Sequence, residues 1–381
     1  MRKNIFFIAS AILLLTACNN NDEALTSFND DNPKVSNEFA LSNDEAKDLL
    51  SFFVNDGAST RSDGKSVTVK DYKVRNIEVT TEDDTEIVPV YAYTTMNENG
   101  EEGYSIVIGD RRIQKVLVQV DKGSLADTTD IPPLKWFINS IPNIIENDLL
   151  RYNVSQKEKP ISGGTRDSYV ETHYCFLPTY WDQGSPYNEQ CPPCSSGGHC
   201  VVGCVPLAMG QILAYHHIPS SLNWSSILQS YQVTSNSSAT VKSQVANLLA
   251  TLGSLVHVNY GCSSSGVSYS DMWRVANTFR NTYSMSCGNL VSFDLDSIIS
   301  SLGNNRPVFL MGYATVGGHA WVCDAWKRHH YDNNEYYDYL NMNWGWGGSS
   351  NGFYYIDSPM SFNTGSYTFY YGFEMITNIR P

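Results

Sequence analysis

At 381 residues, 42% of them hydrophobic and 12% aromatic, the chain is long enough for two domains of ordinary size and apolar enough to give them real cores. Its formal net charge of -14 repels phosphate backbones, which counts against nucleic-acid binding. The 24 tyrosines and 8 tryptophans suit β-rich structure, as strand residues packing a core or as surfaces facing sugar or peptide.

The first residues do not belong to the fold. Arg2 and Lys3 precede a short apolar stretch, Ile5 to Leu15, and Leu15-Thr16-Ala17-Cys18 sets small residues before a cysteine. This is a secretory signal over 1–18. It resembles a bacterial lipobox with Cys18 as the lipidated residue; a plain signal peptide with an incidental Cys18 is the alternative. No other stretch reaches the roughly 18 consecutive apolar residues of a spanning helix, so membrane contact is expected through the lipid anchor alone. Residues 19–41 are polar and read as a flexible tether.

Ser42 and Glu45 have capping-box spacing, and Ala46, Leu49, Leu50 and Phe53 recur at helical intervals, which predicts a helix over 42–54. Residues 55–66 are a Gly/Ser/Asp loop. From Ser66 to Val120 the pattern changes to short strand-like runs at 67–69, 77–79, 88–93, 104–108 and 116–120. Asn97-Glu98-Asn99-Gly100 joins two of them as a hairpin would. Helical spacing returns over 136–150, so 42–152 reads as a small α+β unit without cysteine. The polar stretch 153–168, with Gly163, Gly164 and Arg166, has no apolar periodicity and is predicted to be exposed and cuttable. It is either an ordinary linker or the scissile linker of a precursor.

Beyond it, helical signals fall at 204–217, 222–231, 239–253, 270–281 and 295–302, and strands at 307–314, 319–326, 336–343, 352–357 and 366–376. A helical half followed by a β half predicts two lobes with a cleft between them. Export implies an oxidising compartment, where disulfides persist. After Cys18 the cysteines are 175, 191, 194, 200, 204, 262, 287 and 323. If one of them is a catalytic thiol, an odd number is left, so at least one more is free, and sequence does not fix the connectivity.

Chemistry concentrates at Cys204. Pro206 fits only the first turn of a helix, and Val205, Ala208, Met209, Ile212 and Tyr215 share a face, so Cys204 stands at a helix start. There the macrodipole and unpaired amides favour a thiolate; a disulfide or buried cysteine is the bland reading. Cys191, Cys194, His199 and Cys204 also have zinc-knuckle spacing, which competes, although their flanks lack the basic residues that nucleic acid requires. Downstream, Gly317-Gly318-His319 opens an apolar strand, where a lone histidine is usually structural. Asn343-Trp344-Gly345-Trp346 follows on the next strand. Asn343 can accept an imidazole N–H and fix the tautomer, and Trp344 can shield that bond from water. A β-turn with packing tryptophans is the alternative. Gln183 is a neutral donor that could face an oxyanion beside the Cys204 amide.

These segments together resemble the streptopain family of papain-like cysteine proteases. The matching pieces are Gln183 to Asn188, Gly203-Cys204 through to Tyr215-His216-His217-Ile218-Pro219, Gly317 to Val322, and Asn343 to Gly348 with Gly352-Phe353, in family order over about 180–357. Gly103 to Arg112 looks like the family's prodomain hairpin. The resemblance implies an α+β protein with a papain-like two-lobed catalytic domain over 167–381, preceded by a small inhibitory prodomain over 42–166. It implies a zymogen and an endopeptidase acting on protein or peptide, with its own prodomain as intramolecular inhibitor and without metal or other cofactor. By it Cys204 is the nucleophile, His319 the base and Gln183 the oxyanion donor, while Asn343 and Trp344 orient and shield His319, in an order left open. The Cys191-Pro192-Pro193-Cys194 loop with Cys200 departs from the family, and so does the lipobox, which implies a protein tethered to the bacterial outer membrane or cell surface. A non-catalytic surface lipoprotein that binds glycan or peptide is the rival function.

Overall fold

The computed structural model describes residues 28, 38–55, 67–80, 85–126, 132–158, 169–314, 317–330, 336–356, 362–363, 368–369 and 373–381. The signal over 1–18 with Cys18, the site at Arg166 and most of the loop 55–66 lie outside them.

The first helix, α1 (Asn43–Val54), is capped as its sequence dictates. The Ser42 side chain accepts from the Glu45 amide and the Glu45 carboxylate accepts from the Ser42 amide. The segment read as a flexible tether is in fact docked at its end. The Leu41 amide donates to the Gly109 carbonyl at 2.9 Å, and Phe28 is buried in the core. The Phe39 carbonyl accepts from the Arg111 amide at 2.8 Å in the same contact.

Four strands follow: β1 (Thr68–Thr80), β2 (Thr85–Met96), β3 (Glu102–Ile108) and β4 (Val116–Val120). The runs at 67–69 and 77–79 merge into the single strand β1, because continuous antiparallel pairing with β2 carries the polar residues between them. As the outer edge of the sheet, β1 can leave its lysines in water. The helix expected at 136–150 is longer, α2 (Pro132–Glu158). Pro132 suits a first turn, and Gln156, Lys157 and Glu158 are good helix formers, so the helix absorbs the start of the stretch read as linker.

Next come β5 (Tyr169–Tyr174), then α3 (Cys204–Tyr215), α4 (Trp224–Ile227), α5 (Ala239–Leu255), α6 (Trp273–Asn277), β6 (Val291–Ser292) and α7 (Leu295–Gly303). The segment 270–281 does not form one helix but a 3-10 turn, α6 and a π-turn over Thr278–Thr282. The β half contains β7 (Val308–Ala314), β8 (Gly317–His330), β9 (Tyr336–Asn343) and β10 (Gly352–Ile356). The last expected strand, 366–376, contains β12 (Thr368–Phe369) and β13 (Glu374–Ile376), with 370–372 outside the described residues, and β11 (Phe362–Asn363) comes before it.

One 11-stranded sheet runs through both halves of the chain in the order β1-β2-β3-β4-β10-β9-β8-β7-β13-β6, with β5 added on β8. Its joint is the antiparallel pairing of β4 with β10, Val118 opposite Tyr354 and Val120 opposite Gly352. A side chain at Gly352 would lie 2.2 Å from the Gln119 carbonyl oxygen, so only glycine permits this approach.

Two buried lysines cross the joint in opposite directions. Lys115, preceding β4, pairs with Asp148 of α2 at 2.6 Å and sits 3.9 and 3.8 Å from the ring centres of Tyr337 and Tyr355. Lys327 of β8 donates to the Phe53 carbonyl at the end of α1 (3.0 Å), where a helix leaves carbonyls unsatisfied. One apolar core fills the joint, and a second surrounds α3 in the helical half.

Candidate active site

Helix α3 sits inside the helical half with every residue from Val205 to Ala214 buried. It begins at Gly203, whose φ of 92° is a conformation that L side chains avoid, and a Cβ there would press on Ser265. Glycine therefore lets the chain turn sharply into the helix and leaves Cys204 at its first position. Gly203 has no side chain to cap the helix, so the first amides stay available. The main-chain amides of Ala320, Val205 and Cys204 favour the Cys204 thiolate. Burial nevertheless pushes the thiol upward, outweighing those three donors. The residue keeps partial solvent contact.

His319 lies next to Ala320 on β8, opposite Gly312 of β7. Its Nε2 lies 3.0 Å from the main-chain oxygen of Trp344. A carbonyl only accepts, so Nε2 carries the proton and Nδ1 is left as the free acceptor. Burial drives its pKa down to about 4, against the partial help of that bond. No hydrogen bond joins the thiol to the imidazole in this arrangement. Burial favours the neutral form of each group.

The Asn343 side chain does not reach the imidazole. Its Oδ1 accepts from Gln211 Nε2 at 3.3 Å, and its Nδ2 donates to the Thr179 carbonyl at 2.9 Å. The indole ring against His319 is that of Trp346, stacked with centroids 4.3 Å apart; the Trp344 ring is tilted at 6.2 Å. The Trp344 indole instead donates to the Ser350 carbonyl. Trp346 and Gln211 were missed in the sequence. Their signals were present, an indole two residues past Trp344 and a polar residue in an otherwise apolar helix, but neither says what it faces.

Gln183 is half-buried in the loop before α3. Its main-chain oxygen accepts from the Val202 amide at 3.0 Å, which ties this loop beside Gly203-Cys204. The zinc reading is overturned. Cys194 forms a disulfide with Cys262, and the Cys204 sulfur faces main-chain amides. Among the described residues no cluster of three or more His, Cys, Asp or Glu could hold a metal. Cys200 is a buried free thiol whose sulfur faces the Pro193 carbonyl, not Cys204.

These burials make the fold sensitive to acid. His319 and His329 both have pKa values lowered to about 4 from an ordinary 6.5, chiefly by burial, and for His329 also by Lys327 and His330. A depressed base stabilises the fold above its unfolded pKa, and that contribution is lost as pH falls from 6.5 to about 4. At about 1.4 kcal/mol per pKa unit, each histidine costs roughly 3 kcal/mol over that window. Buried Asp324, raised to about 6, works in the opposite sense and offsets roughly one of them as it protonates. Denaturant unfolding is expected to show a net loss of about 3 kcal/mol between pH 7 and pH 4. A flat profile would refute the burial argument.

Residues 181–222 and 219–354 match the Peptidase C10 family. Streptopain of Streptococcus pyogenes serotype M1 is 27% identical over 377 residues, 86% of this chain and 88% of that protein. The thiol protease/hemagglutinin PrtT of Porphyromonas gingivalis is 24% identical over 322 residues, 72% of this chain and 35% of that protein. Among solved structures, a prointerpain A of Prevotella intermedia superimposes with a TM-score of 0.51 at 20% identity, over 81% of this chain and 99% of that one. That likeness is one of fold.

Proposed function

We propose, from the premise that the chain belongs to the peptidase C10 family, that it is a cysteine endopeptidase made as a zymogen. The observation that carries this reading is Cys204 at the start of a buried helix, its thiolate favoured by the amide of Ala320, with His319, the residue before Ala320 on β8, having its Nε2 proton committed to Trp344. In the working state Nδ1 of His319 takes the thiol proton. The thiolate attacks the scissile carbonyl, and the oxyanion is held by the Cys204 amide and the Gln183 side chain. The imidazolium protonates the leaving amine, and water then hydrolyses the thioester. Asn343 and Trp344 hold the strand end that orients His319.

Residues 42–166 act as the inhibitory prodomain until the chain is cut near Arg166. What supports this is the joint itself. The Lys122 carbonyl accepts from the Ser350 amide at 2.8 Å, the Ser350 carbonyl accepts from the Trp344 indole, and the Trp344 carbonyl holds His319. The N-terminal unit thus bears on the loop whose Trp344 carbonyl holds the imidazole. Residues 1–18 direct export, and lipid on Cys18 tethers the enzyme to the outer membrane or cell surface.

The test is thiol modification. Reductant-treated protein is expected to cleave casein, and iodoacetamide is expected to abolish cleavage with the label on Cys204. Cleavage that persists with Cys204 fully alkylated refutes the reading, and a Cys204 inert to iodoacetamide favours the non-catalytic lipoprotein.

A further inference from the structure

Among the buried residues Val205 to Ala214 of helix α3, one side chain is polar. Gln211 stands two turns after Cys204 and is fully buried. Its amide is used on both sides. Oε1 accepts from the Thr179 hydroxyl at 3.1 Å and from the Trp181 amide at 3.3 Å, and Nε2 donates to Asn343 Oδ1 at 3.3 Å. Asn343 closes the knot by donating to the Thr179 carbonyl at 2.9 Å. Trp181 lies two residues before Gln183, and Asn343 one residue before the carbonyl that holds His319. Three segments that approach from distant parts of the chain therefore meet at one carboxamide. A buried amide must satisfy both its donor and its acceptor, so the knot admits few alternative geometries.

We infer that Gln211 is a positioning residue for the peptidase reaction, fixing the helix of Cys204, the loop of Gln183 and the strand end of Asn343 and Trp344 relative to one another. The inference rests on the cysteine-peptidase reading. It touches no reacting atom, so its effect is on placement, where an error of about 1 Å can cost on the order of 100-fold.

The experiment compares three variants of the full-length, reductant-activated chain. Gln211→Leu keeps the volume and removes the knot. Leu213→Ala, on the same helix and fully buried, is the packing control. Gln211→Glu keeps the acceptors but can donate to Asn343 only while its carboxyl is protonated. Gln211→Leu is expected to lower kcat about 10- to 100-fold with KM within about threefold, and to move the pH midpoint of Cys204 alkylation. Leu213→Ala is expected to lose thermal stability while keeping that midpoint and kcat. Gln211→Glu is expected to lose activity progressively as pH rises, relative to wild type. Gln211→Leu behaving like Leu213→Ala in kcat and in alkylation midpoint overturns the inference. Should the wild type show no Cys204-dependent cleavage, the peptidase reading falls, and the alkylation midpoints alone then decide for or against Gln211.

Discussion

Replacing Cys204 by alanine is expected to reduce kcat/KM on casein by on the order of 10⁴- to 10⁶-fold, the scale seen when a nucleophile is removed from a catalytic unit. The Ala320, Val205 and Cys204 amides favour the thiolate, and a methyl group can neither attack a carbonyl nor carry charge. The remaining amides could still bind an oxyanion, which sets the floor of residual activity. Stability should change little, because the residue is partly exposed and only one atom is lost. Self-processing should stop as well, so the full-length band should persist on gels with reductant present. Comparable casein cleavage by the variant and wild type, with matched folding, would eliminate the mechanism.

The second large effect is expected at Lys115. Its ammonium is fully buried against Asp148, with the rings of Tyr337 and Tyr355 from the far side of the joint on either hand. Lys115→Met keeps the length of the side chain but leaves the Asp148 carboxylate without its 2.6 Å partner. Breaking one side of a buried pair costs about 3–5 kcal/mol. Denaturant unfolding should report that loss, and Asp148→Asn in the same chain should recover part of it, since the two residues are directly coupled. Tyr355→Leu removes the aromatic face that β10 presents, roughly 2 kcal/mol for a desolvated cation–π contact, together with the edge contacts to Tyr337 and Tyr339. If docking of the N-terminal unit keeps His319 away from the thiol, Tyr355→Leu should also speed Cys204 alkylation in the uncut chain. An alkylation rate equal to wild type in both single variants would show that the joint does not govern the thiol.

Much of the architecture was legible because it is local. Ser42 and Glu45 announced α1 through their own reciprocal bonds, and Gly203 followed by Pro206 announced the start of α3. The strands at 104–108 and 116–120 were visible as apolar runs bounded by turn residues. Boundaries failed where the determinant lay elsewhere in the chain. β1 is one strand because β2 pairs along its whole length, a fact its charged middle conceals. The continuity of the sheet was not legible at all. No periodicity announces that Val118 lies opposite Tyr354, since the alternation within one strand does not name the strand it pairs with.

By itself, the sequence determined the chemistry on offer: a thiol at a helix start, a histidine opening a strand, an Asn-Trp-Gly-Trp run after it, and the order in which they come. Only the tertiary structure decided their partners. It gave the imidazole to the Trp344 carbonyl, gave Asn343 to Gln211 and Thr179, stacked Trp346 on His319, and paired Cys194 with Cys262. The reason is that helix starts and strands follow from neighbouring residues. Hydrogen-bond partners are chosen among groups far apart in sequence, by whichever buried donor and acceptor the packing brings within about 3 Å.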